Sequence, residues 1–331
     1  MQSTLRRTTT RLAAAAVTAS LAFTLAACGD GSDADASATP SVAPSASSSA
    51  PAAEPSAEPT ATAEDVAALE KVKVDGDPGS QPTITLPSSP FTVSAAVARV
   101  VTPGDGEPLK AGDTVEIQLT AVNGEDGKVL GSTYTDEATG TWTVKDDGSG
   151  IPALDDVLLT TNVGAQVLFA LASDGVTQVY VLEPVATVPT RAEGTAVAPK
   201  EGLPTVTLAD DGTPTITAAT GEAPKELTVQ PLIEGTGKEV EAGDNVLVQY
   251  TGVLWDGTPF DSSWERGTPF QVSSVGQAQV IDGWNEGLVG QKVGSQVLLV
   301  VPPDKGYGDQ ENGSIPANST LVFVVDILWA S

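Results

Sequence analysis

The chain has no histidine and one cysteine among its 331 residues. The first absence removes histidine triads and His-ligated metal sites together. The second excludes an internal disulfide and any thiolate metal cluster. Basic residues are also few: 16 Lys and Arg stand against 43 Asp and Glu, for a net charge of −27. A positive face for nucleic-acid phosphates is therefore not expected. Aromatics make up only 5% of the chain. Long helical periodicity is missing too. The best short helix is Asp282–Leu288, where Trp284 and Leu288 stand four apart on one face.

What is there begins with an export pattern. Arg6, Arg7 and Arg11 form a positive segment, and Leu12 to Ala27 is an apolar run too short to span a bilayer. It ends Leu25-Ala26-Ala27-Cys28. Small residues before a lone cysteine resemble the lipobox of bacterial lipoproteins. The resemblance implies cleavage of residues 1–27 and a diacylglyceryl group on Cys28, two acyl chains being enough for stable anchoring. The bland alternative is an ordinary secretory signal with an accidental cysteine. Residues 28–65 are Ala, Ser, Pro, Thr and acid with little to bury, which reads as a disordered tether. At ~3.1 Å per residue its extended reach is on the order of 100 Å.

From Val66 the texture becomes strand-like, with period-two alternation punctuated by Pro and Gly. One block covers 66–190, a linker 191–202, and a second block 203–331. The blocks echo each other. Lys110-Ala111-Gly112-Asp113-Thr114-Val115 answers Glu241-Ala242-Gly243-Asp244-Asn245-Val246, and Asn162 to Leu168 answers Lys292 to Leu298. Gln81 to Leu86 also looks like Leu203 to Leu208. An offset near 130 through the cores implies an internal duplication. Asp146-Asp147-Gly148 and Asp210-Asp211-Gly212 read as hairpin turns.

Aromatic residues concentrate in the second block. Tyr250, Phe260, Phe270, Trp284 and Tyr307 all fall there, as an apolar pocket would need. Tyr250-Thr251-Gly252, Phe260-Asp261-Ser262-Ser263, Val280-Ile281-Asp282-Gly283-Trp284, Gly306-Tyr307-Gly308, Ile315-Pro316 and Thr320 to Phe323 follow in order. Together they resemble the FKBP family of peptidyl-prolyl cis-trans isomerases over about 100 residues. The resemblance implies an α+β, mostly β fold: two domains, each a twisted antiparallel sheet wrapped round a short helix. It implies Trp284 as the floor under a proline ring and Phe260, Phe270 and Phe323 as walls, with Val280 and Ile315 also lining the pocket. The Ile281 N–H and the Tyr307 hydroxyl would donate to substrate carbonyls. Asp261 would sit near the twisting amide, partnered by Arg266 and Tyr250.

Such a reaction needs no cofactor or metal, because no bond is made or broken. Rotation about the peptide bond is opposed by ~18–20 kcal/mol of resonance. A dry pocket suits the twisted, less polar amide. The partners implied are Xaa-Pro segments of unfolded exported proteins and, through the lipid on Cys28, the outer face of a bacterial cell membrane. Macrolide immunosuppressants are candidate pocket ligands on the same resemblance. A non-catalytic chaperone or peptide-binding module using this pocket is the rival reading, and a surface lipoprotein that only displays its domains is a third.

The second block departs from the family at a longer Ser273–Gln279 loop and a shorter Asp309–Ser314 loop. The first departs further. Leu119 falls at Tyr250, Leu130 at Phe260, Gly131 at Asp261 and Leu154 at Trp284. The first block is therefore expected to be a degenerate FKBP-like domain without isomerase activity.

Overall fold

A computed structural model describes residues 60–331 apart from 136, 137 and 174. The export segment 1–27, Cys28 and the tether to residue 59 lie outside the described residues. The described chain carries two larger antiparallel sheets, one per block. In the second half the order is Pro259–Ser262, Val246–Leu254, Leu321–Ala330, Gln296–Val301, Thr228–Glu234 and Thr195–Ala196, with Phe270–Val272 also pairing Val246–Leu254. In the first half it is Val129–Ser132, Thr114–Asn123, Val176–Thr187, Gln166–Ser173 and Val97–Thr102, with Gly140–Thr143 beside Thr114–Asn123. Apart from the extra edge strand Thr195–Ala196, the two orders are the same. The duplication is thus one of topology.

The register ties the echo down residue by residue. Thr251 faces Ser262 and Gly252 faces Asp261; in the first half Thr120 faces Ser132 and Ala121 faces Gly131. The hydroxyl pairs recur as well, at 3.2 Å for Thr251–Ser262 and 2.9 Å for Thr120–Ser132. Each sheet packs a seven-residue helix at the equivalent place, Asp282–Leu288 or Pro152–Leu158. Trp284 and Leu288 are both buried, as are Leu154 and Leu158.

All ten residues of Leu321–Ala330 are buried. A strand buried on both faces reads as a nearly continuous apolar run. One face of the sheet meets the helix and the aromatic residues around it. The other face, through Val253, Leu298, Val322 and Val324, is covered by Leu203, Val206 and Ile216. Val206 and Ile216 belong to a separate two-stranded hairpin, Thr205–Leu208 with Pro214–Thr217. The first half has the same arm, Lys73–Asp75 with Thr83–Thr85. This corrects one expected echo. Gln81–Leu86 lies on the returning strand of its arm and Thr205–Leu208 on the outgoing one, so the true counterpart of Pro82–Thr85 is Pro214–Thr217. The shared Pro-Thr-Xaa-Thr pattern on both strands caused the slip, since alternate residues of any such strand look alike.

Three further expectations shift. Helix Ala63–Leu69 takes the end of the presumed tether. Thr62 caps it: its hydroxyl accepts from the Asp65 N–H at 3.2 Å, and the Asp65 carboxylate accepts from the Thr62 N–H at 2.8 Å. That reciprocal box and buried Leu69 make a helix of sequence too short to show periodicity. Residues 191–202, expected as a linker, supply the edge strand Thr195–Ala196. They are pinned there because the Ala192 N–H donates to the buried Asp326 carboxylate at 2.8 Å. Asp210–Gly212 does turn a hairpin, but Asp146–Gly148 leads from a strand into the helix Pro152–Leu158.

Asp65 offers a test of the helix Ala63–Leu69 and its tie to Ser94. Burial pushes its carboxyl up. Hydrogen bonds from Ser94 and Thr62 outweigh that and hold it well below the usual carboxylate range. A depressed folded-state pKa contributes stability that is present above the unfolded value and lost as pH falls below about 4. The stability gap between the protein and its Asp65→Asn variant should therefore shrink as denaturation is followed from pH 7 to 3. A gap constant with pH would show that ionisation of Asp65 contributes nothing.

Candidate active site

The strand Val246–Leu254 brings Tyr250 to the helix face of the sheet, where the neighbouring strand brings Phe323. Helix Asp282–Leu288 lays Trp284 across them. The Tyr250 and Trp284 ring centroids are 5.1 Å apart at 88°, and those of Trp284 and Phe323 are 5.4 Å apart at 85°. Phe270 meets Trp284 at 6.0 Å and 81°, and Phe260 meets Phe323 at 5.4 Å and 83°. Edge-to-face pairs of this kind contribute roughly 0.5–1.5 kcal/mol each beyond burial. Trp284, Tyr250 and Phe323 are buried, whereas Phe270 is 37% exposed at the rim. Val280 and Ile281 pack beside them, half-buried, and Ile315 is buried on the same side. Five aromatic rings from five segments thus form one apolar cluster.

A polar cluster stands at its edge. The Tyr250 hydroxyl donates to one Asp261 carboxylate oxygen, and Arg266 donates to the other. Arg266 also donates to the Tyr250 hydroxyl at 2.9 Å, with its guanidinium carbon 5.4 Å from that ring's centroid. Burial, followed by the bond to Asp261, pushes the Tyr250 hydroxyl up to about 12. It therefore remains a donor at neutral pH, leaving Asp261 the acceptor. The three residues expected to act together are assembled as a unit.

The rim is the loop 302–320 between the last two strands. It starts with the 3-10 turn Pro303–Lys305, where Lys305 pairs with Glu286 on the helix. An Asn318 N–H to Gly308 carbonyl bond of 2.7 Å closes it. Tyr307, 37% exposed, sits on this loop. Burial, and then the nearby Asp261 charge, raise its hydroxyl above the ordinary value. Among the described residues neither the Tyr307 hydroxyl nor the Ile281 N–H has a protein acceptor. Two donors are thus free beside an apolar floor.

Two positions matter to which sequence reasoning assigned no role of their own. Gly252 lies beneath Phe260 and Phe323: a Cβ there would come within 2.6 Å of Phe260 and 3.0 Å of Phe323. Asn285 holds the long Ser273–Gln279 loop, accepting from the Gly276 and Ala278 N–H groups at 2.9 and 3.0 Å and donating to the Ala278 and Val280 carbonyls. Its position one residue after the expected floor was the available signal.

Among the described residues the first half builds a different surface: Leu119, Leu130 and Leu154 stand at three of the ring positions, Leu130 45% exposed, while Tyr180 keeps the position of Phe323 and stacks on Phe169 at 4.7 Å. The rim loop is also missing, because Gln166–Ser173 turns directly into Val176–Thr187.

The family model described as FKBP-type peptidyl-prolyl cis-trans isomerase matches residues 237–328. An FK506-binding protein of Streptomyces anulatus is 42% identical over 111 residues, 33% of this chain and 89% of that protein. The chain belongs to the FKBP-type peptidyl-prolyl cis-trans isomerase family. An FK506-binding protein of Neisseria meningitidis is 44% identical over 103 residues, 31% of this chain and 94% of that protein. A solved structure of FkpA from Escherichia coli is 35% identical, covering 40% of this chain and 53% of that one, with a TM-score of 0.31. As an FKBP-type protein the chain is a peptidyl-prolyl isomerase. Within this FKBP, Gly252→Ala should cost ~1–3 kcal/mol of stability through overpacking and slow Xaa-Pro exchange by moving Phe260. A folded variant exchanging at the wild-type rate would show that Phe260 is no wall.

Proposed function

We propose that the second half isomerises Xaa-Pro bonds of exported proteins, with the proline ring on Trp284 between Phe260, Phe270 and Phe323. The assembled Tyr250–Asp261–Arg266 cluster beside that floor carries the reading. Xaa-Pro bonds populate both isomers yet exchange over tens to hundreds of seconds unaided. A ring gripped in a dry pocket turns against the preceding residue. In this reading the Ile281 N–H and the Tyr307 hydroxyl, which have no protein acceptor among the described residues, hold the flanking carbonyls, and Asp261 faces the rotating amide. Binding the twisted form better than the planar form lowers the barrier. Val280 and Ile315 complete the apolar lining. Macrolide immunosuppressants, which would enter the same pocket, are proposed as competitive ligands.

Export and anchoring rest on Arg6, Arg7, the apolar run and Cys28. In this reading the lipid on Cys28 holds the enzyme at the outer face of the membrane, and the tether carries the domains outward. Replacing Cys28 with serine should then release the protein into the medium. The first half is an accessory without its own site.

The test is cis-to-trans exchange of an Xaa-Pro peptide by the purified full chain and its variants. Asp261→Val should lower kcat/KM, and Tyr307→Phe should lower it about fivefold, the loss of one hydrogen bond of ~1 kcal/mol. Exchange at the uncatalysed rate by a folded wild-type chain that still binds the peptide would leave the non-catalytic binding module as the function. Wild-type kcat/KM in folded Asp261→Val would remove Asp261 from the mechanism.

A further inference from the structure

Asp261 and Arg266 sit on a weak element. The strand Pro259–Ser262 is at the sheet's edge, paired only with Val246–Leu254, and runs into the one-turn helix Ser263–Arg266. Both residues are exposed. An edge strand and a single helical turn do not by themselves fix a carboxylate closely. The buried Ser263 hydroxyl ties the start of that turn to Val246–Leu254, accepting from the Tyr250 N–H at 2.8 Å and donating to Gln249, and a second support stands on the other side.

That support is the hairpin arm. Trp264, two residues before Arg266, lies against the arm's turn. A Cβ on Gly212 would stand 3.3 Å from Trp264 Cη2 and 2.8 Å from Arg191 Cδ, at a φ of +97. Only glycine lets the turn pass between the two side chains. Arg191 fixes the turn from its other side, donating to the Asp210 carbonyl at 2.8 Å. The Trp264 indole nitrogen is buried and has no acceptor among the described residues, so the ring serves by packing. The chain leaving the arm holds the approach to the same element: Trp255 donates from its indole to the Gly221 carbonyl at 3.1 Å. A Cβ on Gly257 would lie 3.3 Å from the Ala218 Cβ. The segment that carries Phe260, Asp261 and Arg266 is thus gripped before and after by residues 205–221.

The link recurs in the other half with different chemistry. Tyr134 occupies the repeat position of Trp264, two residues after Ser132 as Trp264 is after Ser262. Its hydroxyl donates to Glu183 at 2.9 Å, and Glu183 accepts the Gly79 N–H of the first arm's turn at 2.8 Å. Arm turn, bridging aromatic and edge segment are joined in both halves. In the second half the arm lies wholly outside the matched residues 237–328.

We propose that the arm Thr205–Thr217 is a working part of the isomerase site and that Trp264 is the positioning residue through which it holds Asp261 and Arg266. The inference rests on the proposed role of Asp261. Displacing a positioned group by about 1 Å can cost up to ~100-fold in rate.

The experiment measures Xaa-Pro exchange by the full chain, with thermal unfolding in parallel. Trp264→Ala should lower kcat/KM roughly tenfold at temperatures where the variant is fully folded. Trp264→Phe should restore most of that. In an Asp261→Asn background Trp264→Ala should have little further effect, because groups acting as one unit are non-additive. Wild-type kcat/KM in folded Trp264→Ala overturns the proposal. So does an equal loss in both backgrounds, which a merely structural tryptophan would give. If Trp264→Ala does not fold, Gly212→Ala perturbs the same contact from the arm and is judged by the same non-additivity. Asp261→Asn alone reports on the site reading: a wild-type rate there sinks the role of Asp261, whereas silence of Trp264→Ala sinks the arm.

Discussion

Trp284→Ala is expected to destabilise the second half by roughly 3–5 kcal/mol, the usual cost of deleting a buried tryptophan from a core. Trp284 is buried and contacts Tyr250, Phe270 and Phe323 edge-to-face, so three rings lose a partner. Stability alone would confound the loss of activity. Trp284→Leu separates the two, since the first half already carries Leu154 at that position in a folded sheet. The leucine variant should unfold cooperatively at a moderately lower denaturant midpoint. Its kcat/KM should still fall about tenfold or more, the equivalent of one aromatic contact of ~1.5 kcal/mol made in the transition state. Wild-type exchange by folded Trp284→Leu would remove the floor from the mechanism.

The second large effect concerns the rim. Exchanging residues 302–320 for 172–177 of the first half should bring the exchange rate down to the uncatalysed one. Tyr307 and Ile315 leave with the loop. The sheet should survive, because Val301 faces Leu321 as Leu171 faces Gln178, so the short turn closes an equivalent register. Losing buried Ile315 should cost ~2–5 kcal/mol. Backbone hydrogen exchange on Gln296–Val301 and Leu321–Ala330 would report whether the sheet is intact. Catalysis retained in a folded loop-exchange variant would mean that neither Tyr307 nor the rim contributes.

Much of this was legible in the residues. The helix Asp282–Leu288 was marked by Trp284 and Leu288 standing four apart, and its bounds are those observed. The ring cluster of Tyr250, Phe260, Phe270, Trp284 and Phe323 was readable because these are scarce residue types in a fixed order. That the first half carries other residues at these positions was readable as Leu119, Leu130, Gly131 and Leu154. The second arm's turn was read at Asp210–Gly212, but where either arm packs was not, because two short strands of alternating Thr and aliphatic residues look the same wherever they pack. The helix at Ala63 was hidden inside a run that composition alone assigns to disorder. Its stability comes from one capping box and from Leu69 reaching a core formed by Phe91, Val97 and Val122.

Sequence by itself determined the duplication, the two families of strands and which half carries aromatic chemistry, since these follow from residue type and spacing along one chain. Only the tertiary structure decided that the Tyr250 hydroxyl and Arg266 converge on one carboxylate, that Gly252 must lack a side chain beneath Phe260, and that residues 191–221 pack against Trp255 and Trp264 on either side of the edge strand. Each of these joins segments far apart in sequence. No local period encodes such a contact; it exists only once the sheet has brought its two faces against different partners.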